Sequence, residues 1–196
     1  MDLSTLLPWL MELIKSIQYL SSFIWLLVPI RQFKTRFFFF FLVLGLLDPL
    51  AFISHHFFKF NTTVLYLLGT ILLLYPALFE LGKKIKLSII LFLLTASLIV
   101  VFYSMPVSII IQMVIHFIIF ITFLKVLVIY FSENRKLLLF HLMLVMYEFS
   151  LLLKFFVYYH EVEVGPTYYI VTTAIQIMIG IFFIFFNEVH SPKLSM

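Results

Sequence analysis

The stretch that decides the fold runs from Arg31 to Phe60 and reads RQFKTRFFFFFLVLGLLDPLAFISHHFFKF. A basic loop leads into an apolar run that is close to the ~20 residues a helix needs to cross the hydrocarbon of a bilayer. The pair Asp48-Pro49 lies in the middle of this run. Three features seen here recur along the chain: basic residues at one membrane face, helices of hydrocarbon length, and an ionisable group deep inside a helix.

The composition predicts a membrane protein. Of the 196 residues, 64% are hydrophobic and only 11% are charged, whereas soluble domains carry about 25% charged residues. No single globular core could hide so much apolar surface, so lipid must be the solvent. We expect one compact transmembrane domain over residues 1–196, with no soluble appendage.

Seven apolar stretches are long enough to be considered as membrane spans. They are residues 6–30, 37–58, 62–81, 87–105, 107–131, 137–159 and 166–186. Each is continuous rather than alternating, and backbone groups in lipid must bond within their own segment, so all seven are predicted to be α-helices. The expected fold is an all-α polytopic bundle of seven transmembrane helices. The first stretch contains several polar residues and alternatively lies in the interface, which would leave six spans.

The charged loops predict the orientation. Basic residues cluster after the first, third, fifth and seventh stretches: Arg31, Lys34, Arg36, Lys83, Lys84, Lys86, Arg135, Lys136 and Lys193. The alternate connections are poor in basic residues, and the one after the sixth stretch contains Glu161 and Glu163. The positive-inside bias therefore predicts an outside N-terminus and a cytoplasmic C-terminus, in a multi-pass protein of the cell inner (cytoplasmic) membrane.

Polar side chains on five stretches are predicted to meet near mid-membrane. Counted from the cytoplasmic helix ends at ~1.5 Å per residue, Asp48, Glu148 and Gln176 lie roughly 17–18 Å deep, and Lys15 and His116 roughly 22 Å deep. An ionisable group at that depth costs about 2.5–3.5 kcal/mol on insertion scales, so it should face protein or water. We therefore predict a ligand or ion pocket formed by these five residues.

Three secondary residues join this prediction. Glu12 is one helical turn from Lys15, so a Glu12–Lys15–Asp48 network is expected between the first two helices. Gln112 precedes His116 by four residues, and Thr173 shares a face with Gln176. The alternative is that these groups serve only to fix helix register or to hydrogen-bond between helices.

Other side chains are expected at the membrane boundary or towards lipid. His141 lies near the cytoplasmic end of its helix, where an interfacial position is expected. Lys154 is expected to extend outwards to the opposite interface. The phenylalanine run at 37–41 is expected to face lipid. Pro49 cannot donate to the Gly45 carbonyl, so the second helix should bend there.

Absent motifs limit the chemistry. The chain has no cysteine, which excludes disulfides and thiolate metal sites. There is no HExxH motif, no phosphate-binding glycine loop and no serine elbow. We therefore expect no enzyme activity, no metal site and no cofactor. The formal charge of +4 comes from short loops, so nucleic acid is not an expected partner.

Three functional hypotheses follow. The first is a receptor-like or regulatory protein that binds a small ligand in the mid-membrane pocket and acts through a separate membrane partner. The second is a small-solute transporter, with coupling to protons or cations as one form of it. Asp48, Glu148 and the proline-interrupted helix favour it. The third is a structural subunit of a larger membrane complex or homo-oligomer. The first two rank nearly equal, with the receptor placed first.

Overall fold

The computed structural model describes residues 8–59, 61–78, 105–162 and 164–195. They form six helices and two short strands: α1 Pro8–Arg31, α2 Phe38–Phe58, α3 Thr62–Leu78, α4 Met105–Asn134, β1 Lys136–Leu138, α5 Leu139–Tyr159, α6 Pro166–Phe185 and β2 Lys193–Ser195. Five of these helices are long and apolar enough to cross a membrane, and α3 is a shorter apolar helix as described. The prediction of a helical, multi-pass membrane protein is therefore confirmed. The fourth predicted stretch, residues 87–105, lies outside the described residues except for its last position.

The described helices form a ring in which each contacts its neighbours in chain order, and α6 returns to contact α1. Short connections make α1–α2, α2–α3 and α4–α5 antiparallel pairs. Gln32, just after α1, donates to the carbonyls of Phe183 and Phe186, so α1 and α6 finish at the same end. We call this the basic end. It contains the ends of α1, α4 and α6 and the starts of α2 and α5.

Six phenylalanine rings fill the bundle between its centre and the basic end. They are Phe37, Phe40, Phe41, Phe123, Phe140 and Phe183, all of them buried. The ring centroids of Phe41 and Phe183 are 4.7 Å apart, and those of Phe140 and Phe183 are 5.1 Å apart. We call this cluster the aromatic plug.

The prediction that the phenylalanine run faces lipid is wrong for most of its members. Phe40 and Phe41 are 0% exposed, whereas Phe39 is 66% exposed. Five consecutive residues cover the full circumference of a helix, so some must face inward wherever the helix is enclosed. The start of α2 is enclosed because the rings of α4, α5 and α6 pack against it.

Gly45 allows α1 and α2 to come into close contact, and each of the two helices contains a proline near this point. Pro29 lies inside α1, and it cannot donate to the carbonyl of Trp25 four residues earlier. Gly45 of α2 packs against that carbonyl: a Cβ placed on Gly45 would lie 2.5 Å from the Trp25 oxygen. Pro49 in turn cannot donate to the Gly45 carbonyl, as the sequence predicts.

The strands form a small element that the all-α prediction lacked. β1 pairs antiparallel with β2, with Leu137 opposite Leu194 in the centre of the ribbon. Each strand has only three residues, too few to show the period-two alternation by which strands are recognised in a sequence. The ribbon attaches the C-terminal segment to the connection between α4 and α5.

Replacing Gly45 with alanine should destabilise the bundle. The new methyl group would overlap the Trp25 carbonyl oxygen, and backbone atoms cannot move aside as a side chain can, so we expect a loss of about 1–3 kcal/mol. The measurement is unfolding of the purified protein in detergent, followed by circular dichroism. Gly165→Ala is the matched control, because a Cβ there meets nothing within 4 Å. Equal stability of the two variants would show that this contact is not limiting.

Candidate functional site

A buried acid–base pair joins α4 to α5. His116 Nδ1 lies 2.7 Å from Glu148 Oε2, and the two residues are 3% and 0% exposed. The His116 ring also packs against Phe155, with the centroids 5.3 Å apart. Two of the residues predicted to share a mid-membrane pocket are therefore in direct contact.

The neighbouring hydrogen bonds indicate how protons are arranged on this pair. The Thr70 hydroxyl donates to the Tyr66 carbonyl at 2.8 Å, so the Thr70 oxygen is left to accept from His116 Nε2, at 3.5 Å. If His116 Nε2 donates to Thr70, then Nε2 carries a proton, and one further proton lies between Nδ1 and Glu148 Oε2. That proton resides on nitrogen, as an imidazolium–carboxylate pair, or on oxygen, as a neutral pair. Both arrangements have no net charge.

Losing the shared proton would leave one negative charge in the bundle interior. Such a charge is costly without a cation beside it. Within the described residues, the salt-bridge partner of Glu148 is His116, and no lysine or arginine pairs with it.

The second carboxylate oxygen of Glu148 has no hydrogen-bond partner among the described residues. Oε1 is buried and receives no hydrogen bond from the described residues. Buried polar atoms are usually satisfied, and an exception needs an explanation. A ligand donor or a water molecule at Oε1 would provide the missing bond.

Asp48 connects to the same region through α3. Its Oδ1 accepts a hydrogen bond from the Tyr66 hydroxyl at 2.9 Å, and Tyr66 precedes Thr70 by one helical turn. Polar groups thus extend from α2 through α3 to the pair on α4 and α5. Since Thr70 bonds to a backbone carbonyl, these contacts do not form an unbroken proton path. The Asp48 side chain itself is exposed.

A second polar group joins α5 to α6. Lys154 Nζ donates to Gln176 Oε1 at 2.6 Å, and Gln176 Nε2 donates to Ser150 Oγ at 3.1 Å. The ammonium group also interacts electrostatically with Asp48. The expectation that Lys154 extends to the outer interface is therefore wrong. It bonds across to α6 because Gln176 offers a carbonyl oxygen within its reach.

The other predicted site residues lie outside these two groups. Gln112 is buried and donates to Ser108 one turn earlier on α4. Thr173 is buried on α6. Glu12 and Lys15 are exposed on α1, whose buried positions begin only at Ser21. The predicted Lys15–Asp48 ion pair is absent among the described residues, where Tyr66 bonds to Asp48 instead.

Sequence reasoning missed Tyr66, Thr70 and Ser150. They carry no charge at neutral pH. The prediction was based on the free-energy cost of placing ionisable groups in a membrane, so it did not include them. One signal was available: Tyr66 and Thr70 are four residues apart, as are Ser150 and Lys154, so each pair lies on one helix face. Which neighbouring helix that face meets is not visible in the pattern.

A separate polar cluster lies at the basic end. Arg36 forms an ion pair with Glu188, and its Nη2 donates to His141 Nε2 at 3.2 Å. His141 lies in the first turn of α5 and is 2% exposed, because Arg36 and the aromatic plug cover it. Burial raises the pKa of the Glu188 carboxyl above its usual value, although the Arg36 charge opposes this shift.

The C-terminal segment crosses the basic end, and we call residues 186–195 the strap. It is held by the Arg36–Glu188 ion pair, by a hydrogen bond from the Leu139 amide to the Pro192 carbonyl at 3.4 Å, and by the β1–β2 ribbon. The strap therefore links the loop before α2 and the loop before α5 to the end of α6.

Comparison of the chain with protein-family models, with curated proteins and with solved structures finds no match. In the described part of the chain, no three histidine, aspartate or glutamate side chains come together as a group that could hold a metal ion.

Removing one member of the buried pair should cost more than removing both. Glu148→Leu leaves His116 buried without its partner, and His116→Leu does the same to the carboxylate. We expect each single change to destabilise the protein. The free energy of unfolding lost by the double variant should be smaller than the sum of the two single losses by a coupling energy of about 1.5–3 kcal/mol. The measurement is unfolding in detergent for all four proteins. Lys125→Met, at an exposed position on α4, serves as the control. Its effect on the free energy of unfolding should simply add to that of Glu148→Leu. Additivity in both cycles would contradict the interaction.

Neutralising Glu188 should loosen the strap. Glu188→Gln removes the ion pair with Arg36, so the amides of residues 187–195 and of β1 should exchange hydrogen faster while the helices keep their protection. Hydrogen exchange followed by mass spectrometry measures this. Glu161→Gln, an exposed acid at the opposite end, is the control. Unchanged exchange in Glu188→Gln would show that the ribbon alone holds the strap.

Proposed function

We propose that this protein is a transporter of a small polar solute, coupled to protons through the His116–Glu148 pair. The observation that carries the proposal is the complete burial of an acid and a base in hydrogen-bond contact, on two helices long enough to span a membrane. Ionisable groups in that position are functional by default.

The proposed topology is seven spans with the basic end in the cytoplasm of an inner membrane. The α2–α3 hairpin directs α3 towards the basic end, whereas α4 begins at the opposite end and finishes at the basic end. The apolar sequence of residues 87–105 is about as long as the ~20 residues that one crossing needs. That length and the alternation of the loop charges support seven spans and an outside N-terminus.

The aromatic plug supports a site that opens to one side at a time. On α5, Glu148 is followed towards the basic end by Leu144 and Phe140 on successive turns, both of them buried. On α4, Ile119 and Phe123 continue the same buried face beyond His116. The path from the pair to the proposed cytoplasmic side is therefore filled with apolar side chains. A carrier needs such a barrier on one side of its site, and this barrier must part when the site faces inward.

The proposed coupling uses charge balance at Glu148. With the shared proton in place, the pair is neutral and Oε1 can accept a hydrogen bond from a solute donor. When the proton leaves, a solute that brings a positive charge near the carboxylate would offset the cost of the uncompensated buried negative charge. Lys154 and Gln176 line the neighbouring α5–α6 contact and offer polar groups to the rest of the solute. Solute binding and proton release would thus be linked.

A receptor-like module is the second candidate, and the strap is the observation that favours it. A ligand that moved α5 or α6 would displace the strap, because both helices adjoin it. The three residues of β2 are exposed, so a membrane partner at the basic end could contact them.

Proton movement across the membrane of proteoliposomes tests the proposal. The purified protein is reconstituted with a pH-sensitive dye inside, and amino acids, monosaccharides and polyamines are added in turn. At least one solute should drive proton movement in the parent protein, and Glu148→Gln should lower that rate at least about tenfold, which corresponds to about 1.4 kcal/mol or more. Asp48→Asn tests the connection through α3. Glu133→Gln, an exposed acid near the end of α4, is the control that keeps the rate.

The outcomes separate the three hypotheses. Solute flux that persists in Glu148→Gln would reject coupling through the pair. Solute binding without flux would favour the receptor. Neither binding nor flux, together with a membrane protein that crosslinks to the bundle, would favour the structural subunit.

A further inference from the structure

An apolar groove runs along the outside of the α1–α2 hairpin, away from the polar site. Its walls include Leu26, Ile30 and Phe33 on one side and Phe38, Leu42 and Leu46 on the other, and its volume is about 460 Å³. Leu26 and Ile30 lie one turn apart on α1, and Phe33 follows in the turn after it, whereas Phe38, Leu42 and Leu46 form a continuous stripe along α2. At ~1.5 Å per residue the α2 stripe is about 12 Å long.

A lysine lies at the mouth of this groove. Lys34 is in the left-handed backbone region, with φ 66°, which is uncommon for a residue other than glycine. Its Nζ lies 5.8 Å from the centroid of the Phe33 ring that forms the end of the groove. The Thr35 amide and hydroxyl both bond to the Gln32 carbonyl and hold this turn. A positive charge thus adjoins the end of the apolar groove.

We propose that the groove binds an anionic phospholipid of the leaflet at the basic end, with one acyl chain between α1 and α2 and its phosphate at Lys34. The groove length fits within the ~15 Å that one leaflet contributes to the hydrocarbon thickness. The apolar walls offer no hydrogen bond to a polar segment, so a hydrocarbon chain suits them. The lysine favours a phosphate carrying net negative charge over a zwitterionic headgroup.

The site lies where the α1–α2 contact is most constrained. Its walls flank Pro29, whose missing amide leaves the Trp25 carbonyl against Gly45. A chain lying in the groove would cover the outer side of that contact and hold the hairpin closed. This inference does not depend on the transport proposal, since none of the groove residues belongs to the polar site.

Electron spin resonance of lipids with labelled chains provides the test. The protein is reconstituted in phosphatidylcholine, and trace phosphatidylglycerol or phosphatidylcholine with the same labelled chains is added. The immobilised fraction gives the relative affinity. Lys34→Gln should lower the preference for phosphatidylglycerol about fivefold, which corresponds to about 1 kcal/mol. Leu42→Trp should fill the groove and remove immobilised lipid of both kinds.

Matched variants make the test specific. Lys136→Gln removes the same charge from an exposed position at the same end, and it should leave the preference unchanged. Val128→Trp adds the same ring at an exposed position on α4, and it should leave the immobilised fraction unchanged. Circular dichroism checks that each variant folds, and Leu46→Trp replaces Leu42→Trp if the latter does not.

Four results would overturn the inference. An equal loss of preference in Lys34→Gln and Lys136→Gln would indicate a diffuse surface potential. Immobilised lipid that is unaffected by tryptophan in the groove would show that no chain occupies it. Displacement of phosphatidylglycerol by inorganic phosphate would indicate a phosphate site, and a copurified membrane protein protecting the groove would indicate a protein interface.

Discussion

The structure depends on one constraint: a carboxylate surrounded by hydrocarbon must carry a proton or find a partner. Glu148 meets it through His116, at 2.7 Å. This contact requires the face of α4 that carries His116 to meet the face of α5 that carries Glu148. Thr70 of α3 lies beside the other nitrogen of the imidazole. The same rule explains why Lys154 bonds to Gln176, where desolvation would otherwise penalise its ammonium group. The polar contacts of the bundle centre thus determine which helix faces meet.

The lipid environment also explains how the apolar half of the bundle is held together. In lipid, burial of apolar surface gives little driving force, so helices associate through close packing and polar contacts. The aromatic plug supplies packing at the basic end, and Gly45 supplies close approach of α1 to α2. The strap then fastens the loops with an ion pair and a ribbon near the membrane surface. The polar centre, the aromatic plug beside it and the strap at the basic end are the features that the proposed site, closed on one side, requires.

Much of the architecture follows from local patterns. Apolar length predicts the helices because a bilayer has one thickness, and their described ends lie within a few residues of the predicted ones. Depth along a helix predicts that His116 and Glu148 share a layer, because the rise per residue is constant. Depth says nothing about rotation about the helix axis. Lys15 and Asp48 are comparable in depth, yet Lys15 is exposed and Asp48 bonds to Tyr66. The inward turn of Phe40, Phe41 and His141 also depended on which neighbours enclosed them.

By itself, the sequence determined that the chain is a helical membrane protein, where its helices lie and which of them carry ionisable groups, because hydrophobic length and helical rise are local properties. Only the tertiary structure decided which of those groups meet. Partner choice depends on the rotation and order of the helices in the ring, which arise from contacts between residues far apart in the chain. The pairing of His116 with Glu148, the inward reach of Lys154 and the strap across the basic end are all products of those long-range contacts.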